Sequence, residues 1–185
     1  MRFKRHSTLT SNHAFLSPSS YHWMNYSDEK LALRFKTARA ALEGVEDHRY
    51  AAEAIELREV QFNGESTLGM YINDCIRWRM VPELVLYYSD NCFGTTDAIS
   101  FRHNLLRISD LKTGETRTSE HQLEVYAALF CLEYNINPYD ICIELRIYQN
   151  GECREYTTDP GYIISIMEKI IAFDIKLNEL REEEL

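Results

Sequence analysis

At Pro82 the hydrophobic texture of the chain changes, and this switch constrains the fold more than any other feature. Before it, apolar residues recur at helical spacing; from Glu83 on, Leu84-Val85-Leu86-Tyr87-Tyr88 reads as a strand. Upstream, Pro18 at a first helical position behind Ser17 predicts a short helix carrying Tyr21, Trp23 and Met24. A second helix is expected from Ser27-Asp28 to about Leu42, with Gly44 as its stop. A third is expected over 45–59 and a fourth over 67–79, the latter stopped by Pro82. Downstream, strands are expected over 83–88, 95–101 and 105–111, the last two joined by a short turn at His103-Asn104. Helical spacing returns over 119–134, with Leu123, Tyr126, Ala127, Phe130 and Cys131 on one side. A strand over 141–148 meets the hairpin signal Asn150-Gly151 and returns over 152–156. Asp159-Pro160 then opens a long final helix toward Leu180. The order ααα(α)βββαββα predicts one mixed α/β domain over 16–185, preceded by a flexible basic arm at 1–15.

With 185 residues, 45% of them apolar, the chain has enough to bury one core, which excludes the disordered and collagen-like classes. Its five cysteines (Cys75, Cys92, Cys131, Cys142 and Cys153) form neither a CxxC pair nor zinc spacing, which suits a reducing interior. The longest apolar run, Val125 to Leu132, falls far short of the roughly 20 residues a membrane helix needs. A cytoplasmic protein is therefore expected. The net charge of −9 argues against a nucleic-acid coat protein. Its distribution is uneven: residues 1–60 carry nine basic and eight acidic side chains, residues 121–185 five and thirteen. A polyanion would approach the first two thirds.

The segment that carries chemistry runs from Gly94-Thr95-Thr96-Asp97 to Asp110-Leu111-Lys112-Thr113-Gly114. Strand side chains alternate, so Asp110 and Lys112 share a face while Leu111 turns away, and a hairpin of this length brings Asp97 beside them. Two carboxylates and an ammonium in one place suit phosphodiester cleavage. Hard oxygen ligands hold Mg²⁺ or Mn²⁺, which neutralises phosphate charge and lowers the pKa of water. Lys112 can orient or deprotonate that water. Alone, a D-x-K pattern is more often an ordinary exposed strand end. Here it has company. Gln122 and Tyr126, four apart, share the helix face that follows the strand. His48, four residues after Gly44, offers an imidazole for a further metal bond.

In order, Gly44…His48, Gly94-Thr95-Thr96-Asp97, Asp110-Leu111-Lys112-Thr113-Gly114 and Gln122…Tyr126 resemble the motifs of the RecB-type PD-(D/E)xK nucleases. Leu16-Ser17-Pro18-Ser19-Ser20-Tyr21-His22-Trp23-Met24-Asn25 resembles the first motif of a phage-encoded branch related to the CRISPR-adaptation exonucleases. The resemblance covers about residues 16 to 156. It implies a restriction-endonuclease-like fold, a central mixed β-sheet flanked by helices. It implies His48, Asp97, Asp110 and the Leu111 backbone carbonyl as metal ligands, with Asp97, Asp110 and Lys112 as the catalytic set. Gln122 and Tyr126 would position the active-site strand or the DNA. Where the family often has a Glu four residues after the histidine, this chain has Ala52; Glu53 is the candidate additional acid, with Glu56 nearby. The iron–sulfur members carry cysteines that this chain lacks at the matching places, so no Fe–S cluster is expected. No GxxxxGK[ST] helicase motif is present either.

The function implied is a Mg²⁺- or Mn²⁺-dependent deoxyribonuclease, an exonuclease acting on single- or double-stranded DNA ends in phage recombination, replication or end processing. A recombination or replication protein is a candidate partner, and a homo-oligomer is compatible with the resemblance. Two alternatives stay open: a structure-specific endonuclease, and a non-catalytic DNA-end or protein-binding module on a nuclease fold. Tyr21, Trp23 and Tyr26 are expected to pack before they stack on bases. Arg2, Lys4, Arg5 and His6 are candidates for phosphate contact.

Overall fold

Two left-handed residues at each of two turns set the sheet. His103 and Asn104 (φ 50° and 58°) join one pair of strands, and Asn150 and Gly151 (φ 53° and 77°) join another, the geometry that twisted two-residue hairpins demand. The structure, a computed structural model, describes residues 15–16, 18–114 and 116–183. Residues 1–14 of the expected basic arm, Ser17 and the last two residues lie outside that set. The elements are α1 (Asp28–Leu57), α2 (Thr67–Arg77), β1 (Val81–Ser89), β2 (Cys92–Arg102), β3 (Leu105–Lys112), α3 (His121–Glu133), β4 (Cys142–Gln149), β5 (Glu152–Thr157) and α4 (Pro160–Glu183). This is an α/β chain with a five-stranded mixed sheet in the order β1-β2-β3-β4-β5. The first three strands form an antiparallel meander, β3 and β4 run parallel with α3 as the crossover, and β4 and β5 are antiparallel.

The chain divides into two compact units, Met1–Glu43 and Gly44–Leu185, with the boundary inside α1. In the first, Pro18–Asn25 is a 3₁₀ segment rather than the expected α-helix. Phe15, Trp23, Tyr26, Arg34, Thr37, Ala38 and Ala41 line a cavity of about 300 Å³ there, and Lys30 sits over the Tyr26 ring.

The expected pair of helices around Gly44 is one continuous helix of 30 residues. Gly44 does not stop it. It is buried, and a Cβ there would fall 2.5 Å from the Thr113 hydroxyl, so glycine serves close approach of α1 to the end of β3. The observed order therefore opens with two α-helices, not three or four.

In the second unit two apolar clusters clothe the sheet. Leu86, Ile99, Leu106, Ile108, Leu145 and Ile147 pack with α3 and with Ile163 of α4. Ala98, Leu111 and Tyr148 pack with Ala51, Ala54 and Ile55 of α1 and with Tyr71, Ile72 and Cys75 of α2. Neighbouring residues such as Ala98 and Ile99 fall in different clusters because strand side chains alternate. Each fully buried Leu or Ile here is worth roughly 1.5–3 kcal/mol of transfer free energy. The α3 stretch 125–132 is apolar all round because it lies between the sheet and α4, with Ala127 and Ala128 fully covered. Pro82 falls inside β1, which as an edge strand tolerates the missing donor.

Candidate active site

The β2–β3 ladder pairs residues from Arg102↔Leu105 to Ala98↔Ser109. One step further, a side chain replaces the backbone: the Leu111 N–H donates to Asp97 Oδ2 at 2.8 Å. The carboxylate of Asp97 thus sits at the mouth of the hairpin beside the end of β3. From α1, His48 brings its Nδ1 to 3.5 Å from the same oxygen. The apolar contacts of Ala51, Ala54 and Ile55 hold α1 against the sheet and so fix this approach.

Asp110 and Lys112 lie side by side on β3, with Lys112 Nζ donating to Asp110 Oδ1 at 3.0 Å. Gln122, in the first turn of α3, accepts from the same ammonium at 3.1 Å. One turn later the Tyr126 hydroxyl donates to the Thr95 carbonyl at 2.6 Å, tying α3 to the start of β2. Gly94 leaves room for that ring: a Cβ would stand 3.0 Å from Tyr126 Cε1.

Electrostatics at this point are strained. Burial, and then the Asp97 carboxylate, push the Asp110 carboxyl up to about 6, against the pull of Lys112 and His48. Its second oxygen, Oδ2, is buried without a hydrogen-bond partner. An oxygen in that condition costs about 1–3 kcal/mol, and a cation shared with Asp97 would relieve it.

The structure adds a residue that the sequence reading did not name. Glu83 lies between the Pro82↔Ala98 and Leu84↔Thr96 pairs, level with Asp97 across the ladder. Its backbone is left-handed (φ 49°), and its carboxylate joins His48 and Asp97 with ligand atoms all within 4.8 Å of one another. Partial burial and the Asp97 charge push Glu83 upward as well, opposed by His48. No distance in the sequence marked it, because the β1–β2 register shifts between Tyr87 and Ser89.

Of the expected site residues, His48, Asp97, Asp110, Leu111, Lys112, Gln122 and Tyr126 converge through these contacts. Glu53 is exposed on α1 and takes part in none of them, and Glu56 is exposed likewise. Leu111 contributes its N–H to Asp97 while its side chain is buried under α1 and α2. The carboxylate oxygens of Glu83 and Asp97 with the His48 imidazole make a donor set that fits Mg²⁺ or Mn²⁺, while Asp110, whose second oxygen is unpartnered, does not fall within that group. Among the described residues no helix is long and apolar enough to cross a membrane. The chain matches no family model, no curated protein and no solved structure.

Proposed function

We propose that this protein is a metal-dependent DNA exonuclease of the RecB-type PD-(D/E)xK kind, hydrolysing phosphodiester bonds from DNA ends. The observation that carries the reading is the Asp110 carboxylate. One oxygen is hydrogen-bonded to Lys112, the other is buried and unpartnered, and Asp97 is close enough to raise its affinity for a proton. A buried carboxylate oxygen without a hydrogen-bond partner is uncommon in folded proteins. His48, Glu83 and Asp97, with Asp110 beside them, would hold a divalent cation, which would neutralise charge at the phosphate and acidify water.

The chain's own groups do the rest. Leu111 N–H and His48 fix the Asp97 carboxylate. Gln122 and Asp110 hold Lys112 Nζ from two sides, which fixes the ammonium beside the carboxylates. From there it orients the attacking water and offsets charge developing on the phosphoryl oxygens. Attack in line breaks the P–O3′ bond, leaving a 5′-phosphate on one fragment and a 3′-hydroxyl, which takes up the proton, on the other. Tyr126 locks α3 to β2 and so keeps Gln122 in register with β3. DNA in recombination, replication or end processing is the substrate context that this reading favours.

The test is digestion of end-labelled linear DNA, single- and double-stranded, with Mg²⁺, Mn²⁺ or EDTA, beside closed circles. Loss of linear DNA with either metal and none with EDTA is expected. In Lys112→Ala, cleavage is expected to fall by roughly 10²–10⁴-fold with the circular dichroism unchanged. Cleaved circles would replace exonuclease by endonuclease, and a folded wild-type protein that cuts nothing would sink the nuclease reading.

A further inference from the structure

The loop between Lys112 and His121 joins the two halves of the proposed site, since Gln122 reaches back to Lys112 across it. Two side chains of the β4–β5 hairpin hold that loop. Gln149 ends β4 and pairs with Lys112 in the parallel ladder. It is 3% exposed, and its Nε2 donates to the carbonyls of Gly114 (2.6 Å) and Thr116 (2.8 Å). Its Oε1 accepts from Arg154 Nη2 at 2.8 Å. A guanidinium only donates, so Arg154 fixes which way the amide points. Arg154 Nη1 donates onward to the Thr118 carbonyl (3.1 Å) and shares the Tyr156 hydroxyl (3.2 Å). Three loop carbonyls at alternate positions are thereby held from a strand end that itself abuts Lys112.

We infer that Gln149, oriented by Arg154, is a positioning residue for cleavage: it sets the 113–120 loop so that Gln122 meets Lys112. This rests on the reading of Lys112 as the reacting ammonium. A buried amide must be desolvated and recovers only what its hydrogen bonds return, so its contribution at this point is geometric rather than hydrophobic. A reacting group has to be held to within about 0.5 Å, and a surface loop without such anchors does not hold its neighbours that closely.

Gln149→Glu keeps size and the pairing with Arg154 but removes both donations and faces two carbonyls with a carboxylate. On linear DNA its kcat is expected to fall about 10–100-fold with KM nearly unchanged. In a Gln122→Ala background the same change should cost less than about threefold more, because both variants undo one constraint. Hydrogen exchange at 113–120 should quicken about tenfold while α2 stays as protected as before. Arg154→Gln, at a half-buried position, covers the case in which Gln149→Glu does not fold, and the same direction with a smaller loss is expected.

Unchanged kcat in a folded variant, losses that multiply in the double variant, or unchanged exchange would each overturn the inference. If the wild type cuts no DNA, the nuclease reading fails and takes the catalytic role of Gln149 with it. The exchange arm then shows separately whether Gln149 holds the loop.

Discussion

Burial in the sheet and the neighbouring Asp97 carboxylate push Asp110 up to about 6, from an ordinary 3.8. The sign of the consequence is definite. A carboxyl that holds its proton more tightly folded than unfolded contributes stability below the unfolded value, and that contribution disappears as pH rises through the folded one. Ion-free protein is therefore expected to lose on the order of 2 kcal/mol between about pH 4 and pH 7 from this group. Asp110→Asn should flatten that slope in thermal melts run in EDTA and abolish the stabilisation that Mn²⁺ gives the wild type. A wild-type melt in EDTA that gains stability steadily from pH 4 to 7, with no difference from Asp110→Asn, would contradict this. At the same scale, Asp97, Asp110 and Lys112 were legible because strand alternation and a short hairpin dictate their meeting. Glu83 was not: a non-glycine residue in the left-handed region of an edge strand has no sequence signature. Glu53 drew attention only as a neighbour of Ala52, and the helix phase leaves it in solvent.

At the scale of elements, the strands and hairpin turns were readable to within a few residues because turn chemistry is local. The expected break of α1 at Gly44 was wrong for a tertiary reason. Glycine punctuates helices when nothing presses on it, but here Thr113 occupies the space a Cβ would take and the helix continues. A second glycine shows the same principle in α2. The helix is capped by Ser66, whose hydroxyl accepts the Gly69 N–H at 3.0 Å, and α2 then buries Tyr71, Ile72 and Cys75. A Cβ on Gly69 would run into the Asn63 backbone carbonyl. Gly69→Ala would gain about 1 kcal/mol in helix propensity, yet the overlap with backbone is expected to turn this into a net loss of roughly 1–3 kcal/mol. Urea denaturation measures it; a variant as stable as wild type would show that the 58–66 turn gives way freely.

Across the whole molecule the site draws on five elements, α1, β1, β2, β3 and α3, spread from His48 to Tyr126. The α/β class and the parallel β3–β4 pair were foreseeable from an apolar helix lying between two strand segments. The number of leading helices and the convergence of α1 on the hairpin mouth were not, since both depend on packing between residues distant in sequence. On the proposed function, a polyanion would meet the site through a cation and Lys112 rather than through the net charge of −9. Crystals soaked in Mn²⁺ near pH 7.5 and measured for anomalous scattering test the account most directly. It predicts a peak about 2–2.5 Å from oxygens of both Asp97 and Asp110, with the His48 ring as a further ligand. Millimolar Mn²⁺ that leaves those carboxylates without a peak, or that seats only at other residues, would contradict it.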